Sequence, residues 1–368
     1  MILGIDFSSY YEEEACGARY FADGKEVDPL DLCRAEGVTL SRIRVWNRPF
    51  DDDGKPYLGG TCDENRAVEL AKLSKKYGYE ILMDFHYSDF WVDPNKQTMP
   101  KDWVGLSEDE LVKAVREYTY KVLAHIKSEG VDVAYVQIGN EITHGMLWPV
   151  GKLDYSTKPA SKYDVLCRLL SAGIEGAKAV YPNIKIVIHL EQSYAQDVYR
   201  EYFDHLVKYG VQFDIIGMSY YPFWHGDFGP LFENVDMCKA RYGKQIMIAE
   251  VGYAWTIEDY LPDADDSHMV IGNGANGTAR TPYPYTKEGQ KQFVEALVRT
   301  AKEHDLFAIC YWEPFWIPMG GKICWTSKEG QKYIHEEAKS IRNEWANQCL
   351  FDYDGNALPA LFAFTVKE

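Results

Sequence analysis

The sequence predicts an α/β fold, a single-domain (β/α)8 barrel that spans residues 1–368, from three observations. Eight short apolar segments rich in β-branched residues are spread along the chain, and amphipathic stretches of helical length separate them. No glycine-rich phosphate-binding turn follows the first apolar segment. Alternating strands and helices predict a parallel sheet. The count of eight and the missing glycine-rich turn favour a closed barrel over a doubly wound open sheet, the alternative fold.

The eight predicted strands are near-continuous apolar runs, as expected for strands that are buried on both faces. They occupy residues 2–7, 40–46, 80–86, 134–140, 184–190, 213–219, 245–251 and 306–312. Helix boundaries between them are marked. Ser107 and Glu110 have the spacing of a capping box, and Gly78 follows Lys75 and Lys76 where another helix should end. Further helices are predicted near 160–180, 197–209, 230–242 and 288–304.

The charge of the chain limits its partners. The formal net charge is -17, and an acidic surface repels phosphate backbones and anionic lipids, so neither nucleic acid nor a membrane is an expected partner. No segment approaches the roughly 18 apolar residues of a membrane span, and the N-terminal sequence MILGIDFSSY lacks the basic start of a signal peptide. We expect a cytoplasmic monomer or, alternatively, a secreted protein whose leader is absent from this sequence.

Composition adds three expectations. The eight cysteines are scattered and form no CxxC pair, so they are expected to be buried, reduced thiols rather than a metal cluster. The acidic runs at 12–14 and 51–53 are expected to be exposed charge. Aromatic residues make up 14% of the chain, which suits sugar binding, because a pyranose ring stacks its apolar face on an aromatic plane.

Two glutamates stand at the ends of predicted strands, where the active sites of (β/α)8 barrels form. Glu141 follows strand four in the motif GNE, and Glu250 lies at the end of strand seven. These strands face each other across the barrel mouth, so both carboxylates can reach one glycosidic bond. A separation of ~5–5.5 Å would make one a nucleophile and the other an acid/base. The alternatives are a helix N-terminal carboxylate for Glu141 and a strand-end salt bridge for Glu250.

The segments around these glutamates resemble glycoside hydrolase family 53, the endo-β-1,4-galactanases. The similar segments follow in the family's order over essentially the whole chain, and they include RIRVWNRPFDDDG (42–54), DFHYSDFWVDPNKQTMPKDW (84–103), VQIGNEITHGMLWPVG (136–151), IMIAEVGYAW (246–255) and CYWEPFWIP (310–318).

The resemblance implies roles for individual side chains. Glu141 would be the general acid/base and Glu250 the nucleophile, while Asn140 would bind the sugar 2-hydroxyl. Tyr221 would hold an oxygen of Glu250, and Arg44 would keep Glu250 ionised. The residues expected to line the sugar subsites are His86, Asp89, Trp91 and Trp312, with Trp312 as the platform at the cleavage point and Trp148 as a platform on the leaving-group side.

The resemblance also implies an activity: retaining hydrolysis of β-1,4-galactan, type I arabinogalactan or derived galacto-oligosaccharides. A mannanase, cellulase or β-galactosidase of the same clan is the alternative enzyme. A non-catalytic carbohydrate-binding barrel and a metal-dependent barrel hydrolase are alternatives of other classes. No cofactor is required by this chemistry. Bacterial members often carry calcium in the loop after strand seven, and a similar but shifted set stands here: Asp263, Asp265, Asp266 and His268.

Overall fold

In the computed structural model, which describes residues 1–261, 269–272, 277–319, 325–335 and 342–364, eight parallel strands close into a barrel. The strands are β1 (Ile2–Asp6), β2 (Leu40–Val45), β3 (Glu80–Phe85), β4 (Tyr135–Ile138), β5 (Lys185–Leu190), β6 (Ile215–Tyr220), β7 (Gln245–Val251) and β8 (Ala308–Trp312). Each strand pairs with the next along the chain, and β8 returns to β1. The (β/α)8 barrel is confirmed, and its restriction to one domain of 368 residues stays a prediction.

A helix lies between each strand and the next, and an eighth follows β8. These helices are α1 (Pro29–Ala35), α2 (Glu64–Tyr77), α3 (Glu108–Ser128), α4 (Tyr163–Val180), α5 (Gln196–Lys208), α6 (Phe228–Tyr242), α7 (Lys287–Glu303) and α8 (Pro359–Ala363). Additional short helices are Tyr10–Ala15, Pro222–His225 and Lys328–Tyr333, with 3₁₀ turns at Lys101–Trp103, Ile142–His144 and Ala346–Gln348. Two small hairpins pair Tyr20–Ala22 with Lys25–Val27 and Gly145–Met146 with Gly151–Lys152.

The predicted helix boundaries are confirmed. Ser107 and Glu110 form the capping box at the start of α3, each side chain accepting a bond from the other residue's backbone N–H. Gly78 ends α2 at φ 74°, a left-handed conformation that costs glycine little because it has no Cβ. None of the helices in the described ranges combines the length and apolar character needed to cross a bilayer.

The inside of the barrel changes from apolar to charged along the strands. Its lower part is filled by apolar side chains, namely Leu40, Leu82, Val187, Ile215, Met247, Ala249, Ala308 and Cys310. Side chains alternate between the two faces of a strand. The next inward positions after Leu40 and Leu82 are therefore Arg42 and Asp84, both of which are buried. The apolar layer closes the bottom of the barrel and leaves the charged groups at the carboxyl ends of the strands.

A β-bulge in β7 turns Glu250 toward this charged interior. Met218 pairs with Ile248 and Ser219 pairs with Glu250, which leaves Ala249 as an extra residue in β7. Since Ala249 already faces the barrel interior, strict alternation would point Glu250 outward. A bulge lets two successive residues face the same side, and both Ala249 and Glu250 face inward here.

Burial differs from one sequence expectation. Six of the seven described cysteines are buried thiols, as predicted, namely Cys33, Cys62, Cys167, Cys238, Cys310 and Cys349, whereas Cys16 is half-buried. Glu13, by contrast, was expected to be exposed and has no exposed surface. It faces the barrel from the helix Tyr10–Ala15, and the hydroxyls of Ser9 and Tyr20 lie 2.7 and 2.6 Å from its oxygens. A local acidic run carries no information about which of its members a tertiary contact will bury.

Helices α3 and α4 approach closely at Gly176. A Cβ on Gly176 would lie 2.4 Å from the carbonyl oxygen of Arg116 and 3.1 Å from the Cβ of Thr119. Backbone atoms cannot yield as a flexible side chain can, so we expect Gly176→Ala to lower the free energy of unfolding by about 1–3 kcal/mol. Urea unfolding followed by circular dichroism measures this change.

Gly229 provides the matched control for that substitution. It also lies in a helix, α6, but it is exposed and a Cβ there would meet nothing within 4 Å. Alanine is the better helix former, so Gly229→Ala should leave stability unchanged or raise it by up to about 1 kcal/mol. Equal effects of the two substitutions would show that the close approach of the helices does not determine the cost.

Candidate active site

A cavity of about 470 Å³ opens at the carboxyl ends of the barrel strands, and Glu141 and Glu250 both line it. Its wall contains polar residues and a large share of aromatic ones: His86, Trp91, Val92, Asp93, Pro94, Asn95, Lys96, Asn140, Glu191, Gln192, Tyr194, Tyr221, Trp224, His225, Trp312, Trp325 and Trp345. The structure therefore brings together Glu141, Glu250, His86, Trp91, Asn140, Tyr221 and Trp312 from the predicted site.

Glu141 stands immediately beyond β4 in a left-handed backbone conformation, with φ 50° and ψ 48°. This conformation is uncommon for a residue with a Cβ and is often found where function fixes a side chain. Its Oε1 accepts a hydrogen bond of 2.6 Å from the hydroxyl of Ser219 on β6. Burial, followed by the negative charges of Glu250 and Glu191, raises the pKa of Glu141 well above its ordinary value.

Glu250 has a different environment. Arg42 forms an ion pair of 2.9 Å with its Oε1, and the hydroxyl of Tyr221 donates to its Oε2 at 2.8 Å. Burial raises the pKa of Glu250, whereas the positive charge of Arg42 and the bond from Tyr221 lower it. Of the two carboxyls, Glu141 is thus the one that holds a proton more readily, and Glu250 is the one stabilised as an anion.

The cation beside Glu250 is Arg42, so the prediction that Arg44 contacts it is wrong. Both arginines lie on β2 two residues apart, and alternation turns both side chains into the barrel. Arg42 lies deeper and contacts Glu250. Arg44 lies nearer the mouth and turns toward β1 and β8, where it pairs with Asp6 at 3.5 Å and forms a shorter bond with Glu313.

Arg44 stands behind the aromatic wall of the cavity. Its guanidinium carbon lies 4.5 Å from the ring centre of Trp91 and 5.9 Å from that of Trp312. Both rings line the cavity, while Arg44 itself does not appear in its lining. A guanidinium at this distance attracts an aromatic face, so Arg44 fixes the two indoles from the side opposite the cavity.

The remaining polar members of the predicted site are held by their neighbours. The Oδ1 of Asn140 accepts from Arg42 at 2.9 Å, and its Nδ2 donates to the carbonyl of Val92 at 3.2 Å. The Nδ1 of His86 accepts from the indole of Trp46 at 3.0 Å. The hydrogen of the His86 ring is therefore on Nε2, which lies 3.1 Å from Asp84.

Two predicted residues lie away from this cavity. Asp89 is buried under the loop after β3, where its oxygens accept from the backbone N–H groups of Arg48 at 3.0 Å and Lys101 at 2.9 Å. It does not appear among the described residues that line the cavity, so its expected place in a sugar subsite is wrong. A polar residue at a strand end can equally satisfy the loop's own backbone, and Asp89 does this.

Trp148 lines an adjoining cavity of about 520 Å³ rather than the one that holds the two glutamates. Asn95 and Lys96 line both cavities, so the two are neighbours. The ammonium of Lys152 lies 3.9 Å from the ring centre of Trp148 and covers one of its faces.

Four residues of the site were not identified from the sequence: Arg42 and Ser219, which contact the two glutamates, and Trp325 and Trp345, which line the cavity. Arg42 and Ser219 carried a usable signal, because each lies an even number of positions from a neighbour already expected to face inward. Trp325 and Trp345 carried none, since they follow β8 outside any predicted strand or helix. Trp325 stacks on Trp91 at 5.2 Å, and Trp345 packs edge-on against Trp312 at 4.7 Å. The aromatic wall is thus a tertiary assembly of distant chain segments.

The calcium prediction falls on residues that the structure does not describe. Asp263, Asp265, Asp266 and His268 all lie outside the described ranges. Within the described ranges, no group of three or more His, Cys, Asp or Glu side chains is arranged to hold a metal ion.

Two buried carboxyls with opposite electrostatic surroundings, in an aromatic-lined cavity at the mouth of a (β/α)8 barrel, define the site of a glycoside hydrolase. Comparison with known sequences agrees: the model of Glycosyl hydrolase family 53 matches residues 2–364. The chain belongs to this family and is a glycoside hydrolase.

Individual relatives cover nearly the whole chain. The endo-beta-1,4-galactanase of Bacillus subtilis (strain 168) is 34% identical over 389 aligned residues, which cover 100% of this chain and 86% of that protein. The GH53 catalytic domain of Ignisphaera aggregans has a TM-score of 0.89 and 38% identity, covering 100% of this chain and 96% of that domain. A solved fungal β-1,4-galactanase has a TM-score of 0.78 and 25% identity, covering 99% of each chain.

The buried position of Asp89 gives a prediction that separates support of the loop from sugar binding. In Asp89→Asn, one of the two backbone N–H groups loses its acceptor, so we expect the free energy of unfolding to fall by about 1–3 kcal/mol. The Michaelis constant for a saccharide substrate should change by less than about twofold, because Asp89 does not line the cavity. Urea unfolding and steady-state kinetics measure the two effects.

Asp102 is the control, because it also contacts Arg48 but through an exposed ion pair of 3.1 Å. Asp102→Asn should change stability by no more than about 0.5 kcal/mol. If Asp89→Asn greatly raised the Michaelis constant without lowering stability, Asp89 would be a substrate-binding residue and not a support for the loop.

Proposed function

We propose that this protein is a retaining endo-β-1,4-galactanase in which Glu141 is the acid/base and Glu250 the nucleophile. The observation that carries the proposal is the unequal treatment of two carboxyls that face one cavity. Arg42 and Tyr221 favour the anion of Glu250, whereas Glu141 is buried beside other negative charges. A retaining glycosidase needs one ionised and one protonated carboxyl at the start of the reaction.

In the first step, an oxygen of Glu250 attacks the anomeric carbon of the bound sugar. The glycosidic bond breaks as Glu141 donates its proton to the departing oxygen, which leaves as a hydroxyl of the cleaved chain. The products of this step are a covalent glycosyl-enzyme ester on Glu250 and an ionised Glu141. Formation of the neutral ester removes the negative charge of Glu250 and therefore lowers the pKa of Glu141.

In the second step, the ionised Glu141 takes a proton from a water molecule as that water attacks the anomeric carbon. The ester bond breaks, the sugar leaves with its original anomeric configuration, and both carboxyls return to their starting states. Ser219 supports the anionic form in between, because its hydroxyl donates to Glu141. The steps use side chains of the chain and water, so the proposal requires no cofactor.

The subsite roles follow from the positions described above. Asn140 keeps a second N–H on Nδ2, beyond the one donated to Val92, that a sugar 2-hydroxyl can accept. Trp312 and Trp91 offer ring surfaces to the cavity, and His86 adds a polar edge beside them. Trp148, in the adjoining cavity, is proposed to bind a sugar on the leaving-group side. Two linked cavities suit cleavage within a chain of sugars.

The choice of galactan rests on the names of the relatives, one of which is called an endo-beta-1,4-galactanase and another an arabinogalactan endo-beta-1,4-galactanase. We propose β-1,4-galactan, type I arabinogalactan or galacto-oligosaccharides as substrates. Reducing-sugar release from galactan, mannan and cellulose tests this choice directly. Preferential cleavage of mannan or cellulose would contradict galactan as the proposed substrate but would not contradict the proposed mechanism.

The catalytic pair yields a mutational prediction. Glu141→Gln and Glu250→Gln should each lower kcat on galactan by about a thousandfold or more, because each removes a group that forms or breaks bonds. Proton NMR of fresh product from the unaltered enzyme should show the β anomer first. For Glu141→Gln, an aryl β-galactoside with a good leaving group should still give a rapid burst of phenol, since that leaving group needs no proton.

Glu13→Gln serves as the control, because Glu13 is a buried carboxyl that does not line the cavity. It should retain activity within about tenfold. Near-normal turnover by Glu250→Gln, or the α anomer as first product, would contradict the proposed mechanism.

The hydroxyl of Tyr221 gives a prediction for pH dependence. Its bond to Glu250 lowers the pKa of that carboxyl, so Tyr221→Phe should raise it. Since Glu250 attacks as an anion, activity appears as the pH rises through its pKa. The acid limb of the kcat/KM profile should therefore move to higher pH, by about one unit.

Tyr220→Phe is the neighbouring control, because the Tyr220 hydroxyl donates to the carbonyl of Gly226 and not to a carboxylate. Its acid limb should stay in place. An unmoved acid limb in Tyr221→Phe would mean that this limb does not report on Glu250.

A further inference from the structure

A third carboxylate stands in the catalytic cavity and is not used by the mechanism above. Glu191 follows β5, is 6% exposed and lines the same cavity as Glu141 and Glu250. Burial of a carboxylate costs free energy unless its oxygens accept hydrogen bonds or pair with a cation. The contacts of Glu191 therefore indicate what its position beside the acid/base contributes.

The contacts of Glu191 lead to the backbone turn that carries Glu141. Its Oε2 accepts a short hydrogen bond from the hydroxyl of Thr143, and its Oε1 accepts one of 3.0 Å from Gln192. Thr143 lies two residues after Glu141, inside the single 3₁₀ turn Ile142–His144. The carbonyl of Thr143 also accepts from Tyr155 at 2.9 Å. Glu191 therefore anchors the turn in which Glu141 adopts its left-handed conformation.

The charge of Glu191 acts on Glu141 as well. Burial raises the pKa of Glu191, and the hydrogen bonds that both of its oxygens accept oppose this rise and favour the ionised form. The groups near Glu141 are Glu250 from β7, Glu191 from beyond β5, Asp93 from the loop after β3, Ser219 from β6 and the hydroxyls of Tyr221 and of Tyr199 from α5. Three of them are carboxylates, and their negative charges raise the pKa of Glu141.

The cations nearby are engaged elsewhere. Lys96 lies 2.5 Å from Asp93, and Arg42 pairs with Glu250, Asp6 and Asp84. Arg42 neutralises the charge of Glu250. Glu191, by contrast, accepts its hydrogen bonds from the neutral side chains of Thr143 and Gln192, so its negative charge near Glu141 is not neutralised by them.

We propose that Glu191 is a positioning residue for Glu141: its carboxylate anchors the turn that holds Glu141 and places a fixed negative charge beside it. This inference rests on the proposed acid/base role of Glu141. It assigns two separable effects, one geometric through Thr143 and one electrostatic. A residue with only a structural role would produce the first effect alone.

The test is the pH profile of kcat/KM on galacto-oligosaccharide. The acid form of Glu141 starts the reaction, so activity is lost as the pH rises through its pKa. Glu191→Gln keeps the size of the side chain and removes the charge, so the alkaline limb should move to lower pH by about one unit, a tenfold change in proton affinity. Ser219→Ala removes a bond that stabilises the anion of Glu141, and its alkaline limb should move to higher pH.

Two further variants separate charge from geometry. Thr143→Val breaks the anchor and keeps the charge of Glu191, so kcat should fall while the alkaline limb stays in place. Glu191→Asp keeps the charge on a shorter side chain, so its limb should stay close to that of the unaltered enzyme. If Glu191→Gln folds poorly, Thr143→Val and Ser219→Ala still test the assignment. Thr143→Val should lower kcat without moving the alkaline limb, whereas Ser219→Ala should move that limb.

An unmoved alkaline limb in Glu191→Gln, or an equal shift in Glu191→Asp, overturns the inference. Glu141→Gln, assayed beside them, distinguishes that failure from a failure of the proposed function. If Glu141→Gln is inactive on galacto-oligosaccharide while the limb of Glu191→Gln does not move, only the role of Glu191 is wrong. If Glu141→Gln remains active, the acid/base assignment itself fails.

Discussion

The buried guanidinium of Arg42 is the interaction on which the barrel interior depends. It contacts Asp6 of β1 at 3.0 Å, Asp84 of β3 at 2.8 Å, Gln137 of β4 at 3.1 Å and Glu250 of β7 at 2.9 Å. One side chain from β2 thus joins four other strands. Removing one partner from such a network leaves buried charge uncompensated, at a cost of about 3–5 kcal/mol. The apolar layer below it cannot replace these contacts, because it lacks hydrogen-bonding groups.

This arrangement ties the chemistry of the site to the fold. The same guanidinium that joins the strands also stabilises the anion of Glu250 and orients Asn140 through its Oδ1. Glu141 stands beyond β4, in contact with Ser219 rather than with a cation. The difference between the two carboxyls is therefore a consequence of which strand ends lie within reach of Arg42. A substitution that weakened this network would change stability and the pH profile together.

Sequence reasoning succeeded where a pattern repeats along the chain. Apolar runs locate all eight strands, and barrel topology alone then predicts that Glu141 and Glu250 lie at one mouth. Sequence reasoning failed where one sequence pattern is compatible with two different roles for a residue. Arg42 and Arg44 have the same inward orientation and differ only in depth, and depth is set by the tilt and stagger of strands in the closed barrel. Asp89 follows a strand, as a substrate-binding residue of a barrel would, but its carboxylate accepts hydrogen bonds from loop backbone N–H groups instead.

Other features had no sequence signal that local reasoning could use. The bulge at Ala249 is visible only in the pairing of β7 with its neighbours. Trp325 and Trp345 reach the cavity from segments after β8, and burial of Glu13 depends on a hydroxyl of Tyr20 in a separate hairpin. Each of these depends on contacts between segments that are distant in sequence. Composition and periodicity describe neighbours along the chain and do not determine such contacts.

Each of the two arginines of β2 forms an ion pair with one carboxyl of a neighbouring pair of glutamates, Arg42 deep in the barrel and Arg44 nearer its mouth. Arg42 pairs with Glu250 and Arg44 pairs with Glu313, whereas no cation among the described residues forms an ion pair with Glu141 or Glu13. In each pair, the unpaired carboxyl has the more strongly raised pKa: burial raises the pKa of Glu13 to about 8 and that of Glu313 to about 7. The first pair faces the cavity. The second is sealed behind it.

Hydrogen counting supports the same rule for the sealed pair. The hydroxyl oxygen of Ser9 lies 2.7 Å from Glu13 and 2.5 Å from Glu313, yet it carries one hydrogen. One of the two carboxyls must therefore supply the other. Glu313 is held by Arg44 and by the backbone N–H of Ser9 at 3.1 Å, so the proton belongs to Glu13. In each pair, the carboxyl that no arginine contacts is the one with the greater tendency to hold a proton, and only the first pair lies where a substrate could reach it.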